Sequence, residues 1–227
     1  MRRGSAHHAG AAGIATVAAA VAVAVPALAV TQPAPAPATG ETVTIAMTGD
    51  PLTGSFSFRQ DLVDIRAGDV VRFRNANGLA THQPAEQSGL WGPSAAPGGQ
   101  VERTMEAGTH LIICRLHPQL MRATIRVSPT VAVTRRVVRR RDRRGRLRSR
   151  RVVRTAAVRW AVAAPAAGQA FDVERRRQGG DWESLRSATS STDASFSVRA
   201  GDAWQVRARL RGGDVTGAWS PVASATS

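Results

Sequence analysis

An all-β chain carrying two sandwiches in tandem is expected from three observations. No window sustains the 3.6-residue apolar period of an amphipathic helix. Short runs alternate apolar and polar residues with period two, clearest where Val71 and Phe73 oppose Arg72 and Arg74 and where Ile125 and Val127 oppose Thr124 and Arg126. Turn signals separate these runs: Gly68-Asp69, Ala107-Gly108, and the tracts PAAG, RQGGDW and RGGDVTG. The length of 227 residues, with 43% hydrophobic and 21% charged positions, suits one or two globular domains.

Residues 1–29 are read as a secretion signal cleaved after Ala29. Arg2 and Arg3 form its charged start, Ile14 to Val25 its apolar core, and Ala27-Leu28-Ala29 its small-residue end. That core falls short of the roughly 20 apolar residues a membrane span needs. Residues 30–40 follow as a Pro/Ala linker, whose TQPAPAPATG favours extended, non-packing backbone. An extracytoplasmic location and a monomer are expected.

Residues 41–128 form the first expected domain. Its strands are read in ETVTIAMT, FSFRQDLVDI, DVVRFRN, HLIICRL and ATIRV, and its charges balance at eight arginines against eight acids over 41–127. The second expected domain, 129–227, opens on a run of different character. Arg135 to Arg154 holds twelve arginines against one aspartate, a net +11 out of a whole-chain +15. Valine pairs recur inside it and Asp142 to Gly145 reads as a turn, so a basic hairpin fits as well as a linker. The solvated face of a strand pair is the first reading of this charge. An anionic envelope polymer or membrane surface is the second, ahead of nucleic acid. Strands AAVRWAVAA, QAFDVERR, ASFSVRA and AWQVRARL complete the segment.

The only cysteine, Cys114, excludes an internal disulfide framework and any four-cysteine metal site. Removal of the signal leaves three histidines: His82, His110 and His117. Chemistry concentrates in Cys114-Arg-Leu-His117-Pro-Gln-Leu-Met121, which offers a thiolate, an imidazole and a thioether on one tight loop between strands. A second imidazole, His82, sits in the turn-rich NANGLATHQPAEQSG. Two histidines and a cysteinate with a long axial methionine form an electron-transfer copper site, whereas zinc takes other spacings and no thioether. The plainer alternatives are a packed cysteine in LIIC, ordinary turn histidines, and Met121 as core filler. His110 lies about 13 Å of strand from Cys114 and is not expected to ligate.

From Glu41 to Val127 the chain resembles the cupredoxin, or type 1 blue copper, family, in particular its small plastocyanin-like and amicyanin-like members. The likeness rests on Leu62-x-x-Ile65-x-Ala-Gly68-Asp69-x-Val71, on Asn75, His82 and Ala-Gly108-Thr109, and on Cys114-x-x-His117-Pro118. It implies a Greek-key β-sandwich and one copper cycling between Cu(I) and Cu(II), with His82, Cys114 and His117 as equatorial ligands and Met121 as the axial one. Two departures accompany it: Leu120 adds a residue before Met121, and Gln83-Pro84 follows His82, so the group holding the thiolate by a second hydrogen bond is open. From Thr130 onward the chain resembles a fibronectin type III domain, through Trp160, Phe171, Val173, the run Trp204 to Arg209, and Gly217-Ala-Trp219-Ser-Pro221.

The function these resemblances imply is single-electron transfer to a redox partner protein, with Leu116, Pro118 and Leu120 as an apolar rim. Copper storage or delivery, and envelope adhesion with a degenerate copper module, are the alternatives. No enzyme activity is expected, because three histidines cannot build a trinuclear copper centre beside the first site and no nucleophile triad or carboxylate pair stands out.

Overall fold

The computed structural model describes residues 40–76, 80–92 and 98–227. The expected signal peptide, and all of the expected linker except Gly40, lie outside the described residues. The described chain is all-β and has no helix.

Its first half contains β1 (Thr42–Asp50), β2 (Ser55–Phe58), β3 (Leu62–Arg66), β4 (Val70–Asn75), β5 (Pro84–Glu86), β6 (Gln100–Thr104), β7 (Gly108–Cys114) and β8 (Arg122–Ser128). These make two sheets, β2-β1-β4-β6 and β3-β8-β7-β5. β1 and β4 run parallel, as do β3 and β8, while neighbours joined by short turns run antiparallel. Period-two alternation sends Met47, Val71 and Phe73 of one sheet and Ile65, Ile112, Ile125 and Val127 of the other into one core.

FSFRQDLVDI, expected as one strand, is two strands in different sheets. Arg59 N–H still bonds to Ala46 O on the first sheet at 2.9 Å, and two residues later Asp61 O accepts from Thr124 N–H of the second at 2.7 Å. The polar Arg59-Gln60-Asp61 is thus where the chain changes layers. Ala107-Gly108, expected as a turn, instead leads into β7, with Ala107 N–H spent on Trp160 O. Gly68 is the true turn glycine here, at φ 101°.

The second half contains β9 (Thr130–Arg141), β10 (Leu147–Arg159), β11 (Gln169–Arg177), β12 (Glu183–Thr189), β13 (Asp193–Val198), β14 (Ala203–Gly212), β15 (Val215–Thr216) and β16 (Ala223–Thr226). They form the sheets β13-β10-β9 and β12-β11-β14-β15, with β16 also on β14. Trp160, Phe171, Val173, Val206 and Ala208 are buried between them. The strand expected through Ala164 stops at Arg159, where the chain turns and Trp160 donates its ring N–H to Ser191 O at 2.8 Å. On the opposite sheet, planar groups alternate in a ladder. Arg176 and Arg207 lie 4.4 and 4.2 Å from the Trp182 ring, and Arg207 and Arg209 lie 4.5 and 4.2 Å from Trp219.

The arginine run is the hairpin of β9 and β10. Its lone acid explains the turn: Asp142 Oδ1 accepts from Arg144 N–H and Arg146 N–H, both at 2.9 Å, and Gly145 takes φ 76°.

Main-chain hydrogen bonds join the two halves. Ala107 N–H donates to Trp160 O at 2.7 Å, and Thr109 donates its N–H to Ala218 O at 3.1 Å and its hydroxyl to Trp219 O at 2.8 Å. The same β7 that makes this seam at its start carries Cys114 at its end.

Candidate metal centre

Three donors converge where the second sheet's strand ends meet the loop after β4. Cys114 closes β7 and is fully buried, as is His82, while His117 on the following loop keeps partial exposure. Cys114 Sγ lies 3.9 Å from His82 Nδ1 and 3.6 Å from His117 Nδ1. All three donor atoms fall within 4.8 Å of one another. Among the described residues this is the one such cluster of histidine, cysteine and acidic groups.

The spacing fits an ion. Bonds of about 2.0 Å to nitrogen and about 2.3 Å to sulfur, opened to trigonal or tetrahedral angles, put nitrogen and sulfur about 3.5–3.7 Å apart. The observed separations lie within a few tenths of an ångström of that. One donor is held in the metal-binding state: burial, first, and then the proximity of His117 hold His82 below the ordinary histidine range. A neutral imidazole is the form that binds metal.

Local structure fixes each donor. Asn75, buried at the end of β4, donates its amide to Ala80 O at 2.7 Å and steadies the approach to His82. Gln83 then clamps the cysteine by its backbone. Its N–H points at Cys114 Sγ at 3.4 Å and its carbonyl accepts from Arg115 N–H at 2.9 Å. This answers the question left by Gln83-Pro84: the hydrogen bond to the sulfur comes from a main-chain N–H, which any residue but proline supplies.

The loop is two successive turns. His117 N–H bonds to Cys114 O at 3.0 Å, and His117 O accepts from both Leu120 N–H at 3.1 Å and Met121 N–H at 3.0 Å. Leu120, the added residue, is taken up by the second turn with its side chain exposed. Met121 is fully buried, and its carbonyl accepts from Cys114 N–H at 3.2 Å, so it closes the loop beside the cysteine. Arg122 braces the outside, bonding Pro118 O and Gln119 Oε1 at 3.0 Å each.

His110 is absent from the cluster. It is buried near the start of β7, with Nε2 3.1 Å from Glu106 O.

Two residues without metal-binding atoms complete the site, and neither was singled out in the sequence. Phe56 stacks on His117 with ring centroids 3.8 Å apart and planes 12° from parallel, and it meets His82 edge-on at 6.2 Å. Its cross-strand partner is Gly49. The phenyl ring lies over that glycine, where a β-carbon would come within 2.7 Å of Phe56 Cε1 and 3.0 Å of His82 Cε1. An aromatic ring covering a strand glycine is a recognised sheet device; here it sets the plane of a donor imidazole. The signal available in sequence was only a glycine, Gly49, with an aromatic seven residues on.

No family model matches the chain, and no curated protein matches it. Solved structures of cupredoxins do. Native pseudoazurin from Hyphomicrobium denitrificans matches at 18% identity over 38% of this chain and 74% of its own, with a TM-score of 0.30. Amicyanin from Paracoccus versutus matches at 23% identity over 40% and 83%, also at 0.30. A substituted amicyanin described as Cu(I) matches at 18% identity over 38% and 81%, at 0.31.

Proposed function

We propose that this chain is a secreted type 1 copper protein that passes single electrons, with His82, Cys114 and His117 holding the ion and Met121 standing as the weak fourth donor. The observation that carries the reading is the convergence of one buried thiol and two imidazoles at 3.6 and 3.9 Å. Copper, when bound, supplies a reversible one-electron couple at such a donor set.

The chain's own groups do the rest. Gln83 N–H disperses charge on the thiolate sulfur, as groups around a donor do. Burial keeps water from Cys114 and His82. Phe56 holds the His117 ring in plane, so that its exposed edge stays fixed between oxidation states. Leu116 and Leu120 are exposed beside it, as is Pro118, and together they form the rim on which a redox partner protein docks. No bond-making step is part of this function. The partial exposure of His117 also suits delivery of copper to an acceptor, which fast exchange of the ion with a chelator would distinguish. The second half is read as a fibronectin type III-like spacer, on buried Trp160 and Trp204.

The test is spectroscopic. The purified chain loaded with Cu(II) is expected to bind one ion and show an intense thiolate-to-copper absorption, with the matching electron spin resonance signal. Cys114→Ser is expected to lose the band and keep the fold. A band retained in that variant overturns the assignment.

A further inference from the structure

The β9–β10 hairpin runs beyond its own sheet. β13 pairs with β10 only from Arg154 to Arg159, so from Arg154 to the turn the ribbon has no third strand among the described residues. Seven residue steps of β10 lead from Leu147 to Arg154, about 24 Å of extended chain. From Thr134 to Arg151 every residue except Asp142 is exposed, on both faces of the ribbon.

The two faces differ in how they place their charge. On one, Arg136 lies opposite Val153, Arg151 opposite Val138, and Arg140 opposite Ser149, so no arginine faces another. On the other, Arg135 lies opposite Arg154 and Arg139 opposite Arg150, with Val137 and Val152 forming the rung between. Like charges directly opposed across antiparallel strands destabilise the pair. No carboxylate relieves them: among the described residues the run's one ion pair joins Arg148 to Asp142 at 3.4 Å. The ribbon thus carries two unneutralised arginine rungs, about 13 Å apart along the strands.

We propose that this face binds a linear phosphate polymer, each facing arginine pair clamping one phosphate. Opposed side chains start only about 5 Å apart at Cβ, which lets two guanidinium forks close on one anion. A carboxylate presents its oxygens in one plane to a single fork, whereas a tetrahedral phosphate offers oxygens in two directions. Two rungs 13 Å apart call for a chain of anions rather than a small one. The ribbon, residues 130–159, has no aromatic side chain to stack on bases and no asparagine or glutamine to read them, so it recognises backbone charge alone. A flat lipid surface would meet whichever face is nearer and gain nothing from opposed pairs.

The probe is long-chain inorganic polyphosphate titrated into the full chain, with DNA and anionic vesicles alongside. Two clamped phosphates predict a log–log salt slope near −1.4 by the single-strand rule, hence about 7-fold weaker binding between 50 and 200 mM salt. Two double variants remove equal charge: Arg139→Ser/Arg150→Ser breaks a rung, and Arg136→Ser/Arg140→Ser takes two arginines from the other face. The rung variant is expected to lose clearly more affinity, and to show no lower a melting temperature than the parent, since it removes a repulsion. Equal losses overturn the rung clamp, and a salt-independent affinity overturns the surface itself. Tighter binding to DNA than to polyphosphate at equal phosphate concentration reassigns it to nucleic acid. Vesicle binding that polyphosphate fails to compete reassigns it to lipid.

Discussion

Gly49→Ala adds one methyl group where the Phe56 ring already lies. A β-carbon there would lie closest to Phe56 Cδ1 and within 2.7 Å of Cε1, against a normal carbon contact of about 3.5–4.0 Å, so the ring must move by more than about 1 Å. It has nowhere easy to go. One face is stacked on His117 at 3.8 Å and an edge meets His82, whose Cε1 the new carbon would also crowd at 3.0 Å. Alanine in a strand gains about 0.5–1 kcal/mol over glycine from backbone entropy. Overpacking costs about 1–3 kcal/mol, and a broken aromatic stack another 0.5–1.5 or so. The steric terms win, and a net loss of about 1–3 kcal/mol is expected in urea unfolding of the metal-free chain. Copper affinity should fall at least tenfold as the His117 ring loses its support. Adding Phe56→Leu should recover part of the stability but not the affinity, since it makes room without restoring the stack. A Gly49→Ala chain as stable as the parent, with unchanged affinity, would refute the role given to this pair.

The remaining expectations concern single groups around the donors. Met121→Leu should keep the blue band and shift the reduction potential, at a cost below about 1.5 kcal/mol in stability; an unchanged potential in voltammetry makes Met121 a packing residue only. Gln83→Pro deletes the N–H aimed at Cys114 Sγ, and copper affinity should drop by about 10- to 100-fold, measured by competition with a chelator. In the metal-free chain His82 resists protonation that the unfolded chain accepts. Stability should therefore fall as pH drops below about 6.5, by at most about 1.4 kcal/mol per pH unit from this group. His82→Gln should remove that part of the slope, and identical slopes in the two chains would contradict it.

Strands with clear alternation, such as Val70–Asn75 and Arg122–Ser128, were legible because one face of each is buried and the other wet. The short strands Pro84–Glu86 and Gln100–Thr104 were not: the first is buried at all three positions, and the second lies on a sheet edge with only partial burial. The break inside FSFRQDLVDI falls at the polar Arg59-Gln60-Asp61, but a polar triplet does not say that the strand after it joins the other sheet. At the site, the donor atoms could be found because few side chains offer sulfur or imidazole. Gly49 and Phe56 could not, since their contribution is shape, and the pairing that brings them together is set by the β1–β2 register.

The seam between the sandwiches combines main-chain bonds at Ala107, Thr109, Trp160 and Ala218 with side-chain bonds from Thr109 to Trp219 O and from Gln169 to Leu90 O, backed by a shared apolar cluster. The peptide-bond part of the seam does not vary with sequence, so truncating Thr109 or Gln169 removes one bond and leaves the main-chain ones in place. They are therefore expected to unfold together, giving one calorimetric endotherm for the whole chain. An ion bound in the first half at 100 times its dissociation constant would raise the stability of both by about 2.7 kcal/mol. Of the five tryptophans, only Trp91 belongs to that half; Trp160, Trp182, Trp204 and Trp219 belong to the other. Fluorescence melting, reported mostly by residues that never touch the site, becomes a gauge of its occupancy.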